Sequence, residues 1–313
     1  MPRTPQPEAR FRRIYRRLSA SQLSVTGQDG TLSLDELGLD SRDERVSLAF
    51  GVYSRQGMEN ALREYGMIQR MEERGLGPLE LRLNLDEPFR PRIVLWSLRY
   101  KAAVVDIALR KVPGEDVGLP PPLDGRPVLY LDSFTLQHPG RSFDWNRPPL
   151  PGQVHPGLAL SAEILELLLL MTRRIGAEAM ALTPATFSAA WVYARYFHFI
   201  DGAAQGLFQA LRRAGRQRPR WLLAWAVELG CARGAGGEPV RFVPSPMLAA
   251  GSRRMGRLFE DEDWLSAVKA HARVPLTIDF EALQDRFPWA LMPPGPPPEH
   301  VADVLTYDPL VPP

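Results

Sequence analysis

One cysteine, Cys231, stands in 313 residues. A lone thiol excludes an internal disulfide framework and any zinc site built on cysteines, so nothing in the thiol content argues for an oxidising compartment. Histidine is almost as scarce. The five, at 138, 155, 198, 271 and 300, include no pair at i, i+4 spacing, and no metal site is expected. A charge excess of one sign is missing too: 38 basic against 36 acidic residues leave a formal net charge of +2, too small a field to draw in nucleic acid, DNA included, or a membrane surface. Nor is there a long apolar run. The longest, Ile164 to Met171, is interrupted by Glu166 and followed by Arg173 and Arg174, well short of the roughly 20 residues a bilayer needs. The N-terminus carries basic residues without an apolar stretch or a small-residue cleavage site, so the cytoplasm is the expected location.

What is present is a globular composition, 45% hydrophobic and 24% charged, enough to bury one large core or two smaller ones. Proline punctuates it at Pro2, Pro5 and Pro7, at Pro120 to Pro122, at Pro148 to Pro151, and in a tail from Pro293 to Pro313. Because proline fixes φ and removes a donor, these clusters predict loops or extended connectors. In "ARFRRIYRRLSASQL", Phe11, Ile14, Tyr15 and Leu18 recur at helical spacing among five arginines, predicting a short basic amphipathic helix. It docks on its own domain, or it uses Arg10 to Arg17 to hold an acidic protein partner, RNA or lipid headgroups. "GQDGTLSLDEL", 27–37, resembles the second half of a calcium-binding EF-hand loop at Asp29, Gly30, Leu32 and Glu36, but Val25 and Gly27 fall where two side-chain oxygens are needed. An Asp-Gly turn with a helix start capped by Ser33 and Glu36 accounts for the same residues.

From residue 56 the pattern becomes regular. "QGMENALREYGMIQRMEERGLG" predicts a helix ending at Gly75 and Gly77, and "PLELRLNL" alternates Leu79, Leu81, Leu83 and Leu85 as a half-buried strand does. Strands follow at 92–98 and 102–110, then at 127–136, where "PVLYLDSFTL" is apolar on both faces and is expected at the centre of a sheet. "PGQVHPGLALSAEILELLLLMTRRIG", 151–176, places a turn-forming run directly before a strongly apolar helix, Ser161 to Ile175. A strand at 178–185, a helix at 185–197 and a turn at Asp201 and Gly202 come next. Further on, "LLAWAVELG" and "EPVRFVP" flank "CARGAGG", predicting a hairpin, and "EDEDWLSAVKAHA" predicts a last helix.

This order of elements, with one glycine-bearing loop that opens a long helix, resembles the GCN5-related N-acetyltransferase (GNAT) superfamily over about residues 56–201, as a divergent member. The resemblance implies an α/β (α+β) fold with a central mixed, mostly antiparallel sheet flanked by helices. The chain then divides into an N-terminal segment, 1–45, a GNAT-like core, 46–215, and a C-terminal extension, 216–313. It implies an acyl-CoA-dependent N-acyltransferase with acetyl-CoA or another acyl-CoA as cofactor and a small-molecule or protein amine as acceptor. The blocks "LPGQVHPGLAL", "TPATF" and "GEPVRFVPSPM" also resemble segments of bacterial proteins without an assigned activity.

In that family the loop reads Arg/Gln-x-x-Gly-x-Gly/Ala, and its amides hold the coenzyme's pyrophosphate at the helix N-terminus. Unsatisfied N–H groups and the positive end of the helix dipole converge there. Carried onto this chain, the motif names Gln153, Val154, His155, Gly157, Leu158 and Ala159 as cofactor-binding. Val154 stands where arginine or glutamine belongs, with Gln153 one place early, and Pro156 donates no hydrogen bond. His155 supplies the missing charge only when protonated. These departures keep a second reading open, a catalytically inactive GNAT-like fold serving as a protein-binding or assembly module. A turn plus close helix packing accounts for "HPGLAL" as well.

In many such enzymes a tyrosine on the helix after the fifth strand protonates the departing thiolate, which names Tyr193 and Tyr196. The family's Tyr-x-x-x-Gly-Phe ending does not align with "YARYFHFID". A base for the substrate amine is wanted near the splayed central strands; Asp132 is best placed, ahead of Asp106, Glu178 and Asp201. The run 137–152 is long for the family. Either "PGR", 139–141, aims Arg141 at phosphate, or Phe143 and Trp145 form a lid.

Overall fold

The computed structural model of the chain describes residues 8–25, 48–121, 123–299 and 305. The EF-hand-like stretch and the Ser33/Glu36 helix start lie outside the described residues, as does most of the proline tail beyond residue 299.

The basic amphipathic segment forms α1, Ala9–Arg17, followed by α2, Ala20–Leu23. Phe11, Ile14 and Leu18 are buried, and Phe11 meets Tyr65 edge-on at 5.6 Å. Arg174 donates to the carbonyls of Tyr15 (2.5 Å) and Leu18 (2.8 Å), so the apolar face of α1 docks on the chain's own core. The helix expected from residue 56 is two, α3, Arg55–Glu64, and α4, Met67–Glu72, because Gly66 at φ +73 takes a left-handed conformation that stops one and starts the other.

Four strands then run as an antiparallel meander: β1, Leu79–Asn84; β2, Arg92–Ser97; β3, Ala102–Pro113; β4, Pro127–Leu136. α5, Ser161–Arg174, crosses over and returns the chain as β5, Ala179–Leu182, parallel to β4. Leu165, Leu168, Leu169 and Leu170 of α5 are buried, each contributing about 1.5–3 kcal/mol by leaving water. α6, Phe187–Tyr193, β6, His198–Phe199, α7, Gly202–Ala214, and α8, Arg220–Glu228, complete the middle of the chain. After the two-residue β7, Ala232–Arg233, come β8, Met247–Ala250, α9, Arg253–Gly256, α10, Glu262–Ala272, β9, Thr277–Ile278, and α11, Phe280–Arg286. The result is a mixed α/β arrangement: a mostly antiparallel seven-stranded sheet, ordered β1-β2-β3-β4-β5-β8-β6, flanked by helices. β4 occupies its centre, as its two apolar faces require.

Two expectations are corrected. "LLAWAVELG" is the body of α8, not a strand; it is buried on nearly every side, and a uniformly apolar run does not carry the period that separates helix from strand. The "turn" at Asp201 and Gly202 is the start of α7, with Asp201 Oδ1 accepting from the Ala203 amide at 2.8 Å. Glycine inside that helix serves close packing: a Cβ on Gly206 would come within 2.6 Å of the Val268 carbonyl oxygen on α10.

The C-terminal stretch is integral to the sheet. β8 inserts between β5 and β6, so residue 215 marks no break in it. Val128, Ala179, Ala181 and Leu248 pack on this face against Met255, Phe259 and Trp264. The opposite face rests on the larger cluster that includes Met67, Met71, Leu129, Leu165 and Phe187.

Candidate functional site

β4 and β5 pair only from Val128↔Ala179 to Leu131↔Leu182. β5 stops there, and Pro184, without an N–H, does not extend it. β4 continues to Leu136, paired on its other side with β3, so its β5-facing edge from Asp132 to Leu136 carries no strand. A cleft of about 620 Å³ opens at this parting. Its walls are the end of β4 from Phe134 to Gln137, the loop 150–159 with Ser161, and the first turns of α6. Thr186 Oγ1 caps α6 by accepting from the Ala189 amide at 3.2 Å.

The loop is held from below. Leu158 and Leu160 are buried in the core while Gly157 is half-buried and Ala159 exposed. The His138 amide donates to the Pro156 carbonyl at 2.8 Å, and its ring Nε2 donates to the Arg74 carbonyl at 3.1 Å. Ala159 sits at φ +55, a left-handed conformation that costs a residue with a Cβ about 1–2 kcal/mol.

At the cleft floor α5 begins without a cap: Leu160 makes no side-chain capping bond. Among the described residues, no acceptor meets the amides of Ser161, Ala162 or Glu163, nor those of Gly157 and Ala159. The positive end of this 14-residue helix, with its unsatisfied donors, therefore lies at the cleft wall that Ser161 helps to form. Glu163, the acid of this first turn, is engaged by Arg70 at 3.2 Å.

The residues singled out from sequence separate into two groups. Gln153, Val154, His155, Gly157, Leu158, Ala159 and Tyr193 all line the cleft. The Gln153 side chain is spent on the loop, its Oε1 accepting from the Leu150 amide at 3.0 Å, and Val154 is 78% exposed. Tyr193 packs its ring between Phe134 and Phe197, each 6.1 Å away, and its hydroxyl has no protein partner among the described residues. Burial pushes the Tyr193 phenol up to about 12, so it stays neutral and able to donate.

Tyr196 and Asp132 lie elsewhere. The Tyr196 hydroxyl donates to buried Glu166 Oε1 at 2.5 Å, and Glu166 Oε2 accepts from the Glu8 amide at 3.0 Å, which ties the turn after α6 to α5 and to the residue before α1. Burial, then the bond to Glu166, raises the Tyr196 pKa. Asp132 is the extra residue of a β-bulge, between Leu131↔Leu109 and Ser133↔Ala108, and its Oδ1 accepts from Arg110 Nε at 2.9 Å. The other acids are likewise occupied: Asp106 by Arg92, Glu178 by Arg126 and Ser252, Asp201 by the start of α7. Among the described residues, no Asp, Glu, Lys or Arg lines the cleft.

Both ends of the 137–152 run line the cleft, at Gln137 and at Leu150 to Gly152, but the residues expected to reach it, Arg141, Phe143 and Trp145, do not. Arg141 is exposed and outside the lining, while Trp145 stacks near Trp221 at 6.2 Å and donates through Nε1 to the Gly295 carbonyl at 3.3 Å. The Trp225 indole donates to the Pro149 carbonyl at 2.9 Å, so the run is fastened to α8. Sequence reading missed Thr135, Gln137, Ser161, Thr186 and Ser188, small polar residues that become a lining only when three elements converge. Among the described residues, no group of three or more His, Cys, Asp or Glu is placed to hold a metal, and no helix is long and apolar enough to cross a membrane.

No protein-family model matches the chain, and no curated protein matches it.

Proposed function

We infer that the protein is an acyl-CoA-dependent N-acyltransferase of the GNAT type. The observation that carries this reading is the uncapped N-terminus of α5, whose first three amides have no acceptor among the described residues and whose first residue, Ser161, lines the cleft between β4 and β5. When bound, the coenzyme supplies a thioester to the reaction and a diphosphate to the protein.

The remaining work falls to residues of this chain. The amides of Ser161, Ala162 and Glu163, with those of Gly157 and Ala159, are free to hold a diphosphate. Gly157 suits close approach: a Cβ there would meet only the Leu136 carbonyl oxygen at 3.7 Å, so the fold tolerates a side chain that a ligand would not. The strand-free edge of β4 offers main-chain donors and acceptors to an extended amide-bearing arm. Tyr193 keeps a proton at its phenol oxygen for a departing thiolate. With no carboxylate in the lining, the amine enters as the free base, and acceleration rests on holding it against the thioester.

The same lining favours a second reading. A cradle without Lys or Arg, and with Pro156 in place of a donor, loses about 1–3 kcal/mol of anion binding, as suits a GNAT-like fold retained as a protein-binding or assembly module. Calorimetric and thermal-shift titration with acetyl-CoA and CoA tests the two. Binding raises Tm by mass action; no shift at roughly millimolar coenzyme removes the enzymatic reading. Binding without transfer to any of a panel of primary amines supports the module.

A further inference from the structure

The turn from α7 into α8 reads "RRAGRQRPR", five arginines in nine residues, 212–220, with no acid. Two adjoining hollows of about 450 and 310 Å³ share Arg213, Arg216 and Arg218. The first also takes in Arg212, Arg220 and Trp191; the second ends at Phe280. They form one groove with an aromatic side chain at each end.

Among the described residues, no carboxylate pairs with any of the five arginines. Arg213 serves the fold, donating to the carbonyls of Ala272 and Val274. Arg212 and Arg220 lie 4.9 and 5.1 Å from the Trp191 ring centroid, and Arg218 lies 5.2 Å from that of Phe280. Burial, and then the nearby Arg220, lower the pKa of Arg212, as expected where like charges crowd. Arg220 also opens α8, where Pro219 provides no side-chain cap, so a cation stands at the positive end of a nine-residue helix. The crowding of Arg212 against Arg220 and the cation at the start of α8 are both unfavourable to folding and are both relieved by a bound anion.

We propose that this groove binds the phosphate backbone of single-stranded nucleic acid. Guanidinium forks match phosphate oxygens two at a time. A lone phosphate engages two or three such groups at one point, whereas Arg212, Arg216, Arg218 and Arg220 spread over two hollows in series, which matches successive phosphates along a strand. Trp191 and Phe280 at the ends hold Arg212, Arg220 and Arg218 against their rings, so cationic and aromatic side chains are interleaved along the groove as they are where single strands are held. The overall charge of +2 conceals this patch because acids elsewhere on the surface cancel it in the sum.

The test is fluorescence anisotropy of the full chain with a labelled single-stranded oligonucleotide of about 12 nucleotides, titrated at several salt concentrations. The expected slope of log K against log salt is about −2 to −3, for three or four contacted phosphates at about −0.7 each. Arg216→Gln with Arg218→Gln is expected to weaken binding at least about tenfold and to flatten the slope by about 1.4, with little change in Tm, because among the described residues neither side chain makes a hydrogen bond and only the contact of Arg218 with the Phe280 ring is lost. Arg13→Gln with Arg16→Gln on α1 is expected to leave binding as it was. The proposal is overturned by absence of binding at low salt, by a slope indifferent to Arg216 and Arg218, or by loss through the α1 variant. Arginine-dependent capture of tripolyphosphate or polyglutamate without capture of the oligonucleotide also overturns it.

Discussion

Phe134 on β4 and Tyr193 on α6 pack ring to ring, centroids 6.1 Å apart and tilted by 50°, and both line the cleft where β4 and β5 part. The tyrosine is thus held by its ring, leaving its hydroxyl free of protein partners among the described residues. Three residues on, Tyr196 is held the opposite way, by its hydroxyl on buried Glu166.

This contrast separates the two tyrosines experimentally. Tyr193→Phe is expected to lower kcat for acyl transfer by about 10²-fold with little change in Tm or in coenzyme affinity. Tyr196→Phe is expected to leave kcat alone and to cost about 1.5–3 kcal/mol of stability in urea unfolding, because a buried carboxylate loses a donor. The reverse pattern would sink the assignment.

Alkaline pH reports on the same environment. Burial raises Tyr193 and Tyr65 each to about 12, against about 10 for an unfolded tyrosine. A folded-state pKa above the unfolded one makes the neutral phenol part of the native state. The stability these two groups provide is complete below about pH 10 and is lost as pH rises through about 12. The urea midpoint is expected to fall across that window; a flat midpoint would contradict the burial of both rings.

The two small residues of the cradle are expected to answer differently. Ala159→Gly relieves a positive φ and is expected to raise stability by about 1 kcal/mol. Gly157→Ala, with ordinary φ and its nearest neighbour at 3.7 Å, is expected to change stability by less than about 0.5 kcal/mol while weakening coenzyme binding. Calorimetry beside chemical unfolding reads both quantities, and equal binding by Gly157→Ala would argue that no ligand approaches that Cα.

Restoring a cation tests the cradle in the gaining direction. Val154 is 78% exposed and lines the cleft, so Val154→Arg displaces no core atoms. A charge-assisted bond to phosphate is expected to tighten CoA binding by about tenfold, and the gain should shrink as salt rises. No gain at low salt would place the phosphates elsewhere.

Asp132 serves as the control. Its ion pair with Arg110 is partly exposed, so Asp132→Asn is expected to cost less than about 1 kcal/mol and to leave the pH profile of transfer unmoved. A lost ionisation in that profile would make Asp132 the base.

Much of this protein was legible in local chemistry. Alternation in "PLELRLNL", the doubly apolar "PVLYLDSFTL" and the turn before Ser161 report which residues seek a core, and the meander, the central β4 and the start of α5 follow from them. β8 was not legible: "MLAA" has no β-branched residue and no alternation, and becomes a strand only because β5 and β6 leave a slot that buries all four residues. The arginine groove was in plain view as a run of letters, but its meaning depends on no carboxylate among the described residues pairing with those arginines.

By itself, then, the sequence determined the strands of the meander, the helix that follows the glycine loop and the proline-marked connections, since each depends on the period of nearby side chains. Tertiary structure alone decided that Tyr193 and not Tyr196 lines the cleft, that Asp132 turns to Arg110, and that a strand from near residue 250 completes the sheet. The physical reason is that periodicity specifies which side of an element is buried, whereas the identity of the neighbour across that buried side is set by packing between segments far apart in the chain.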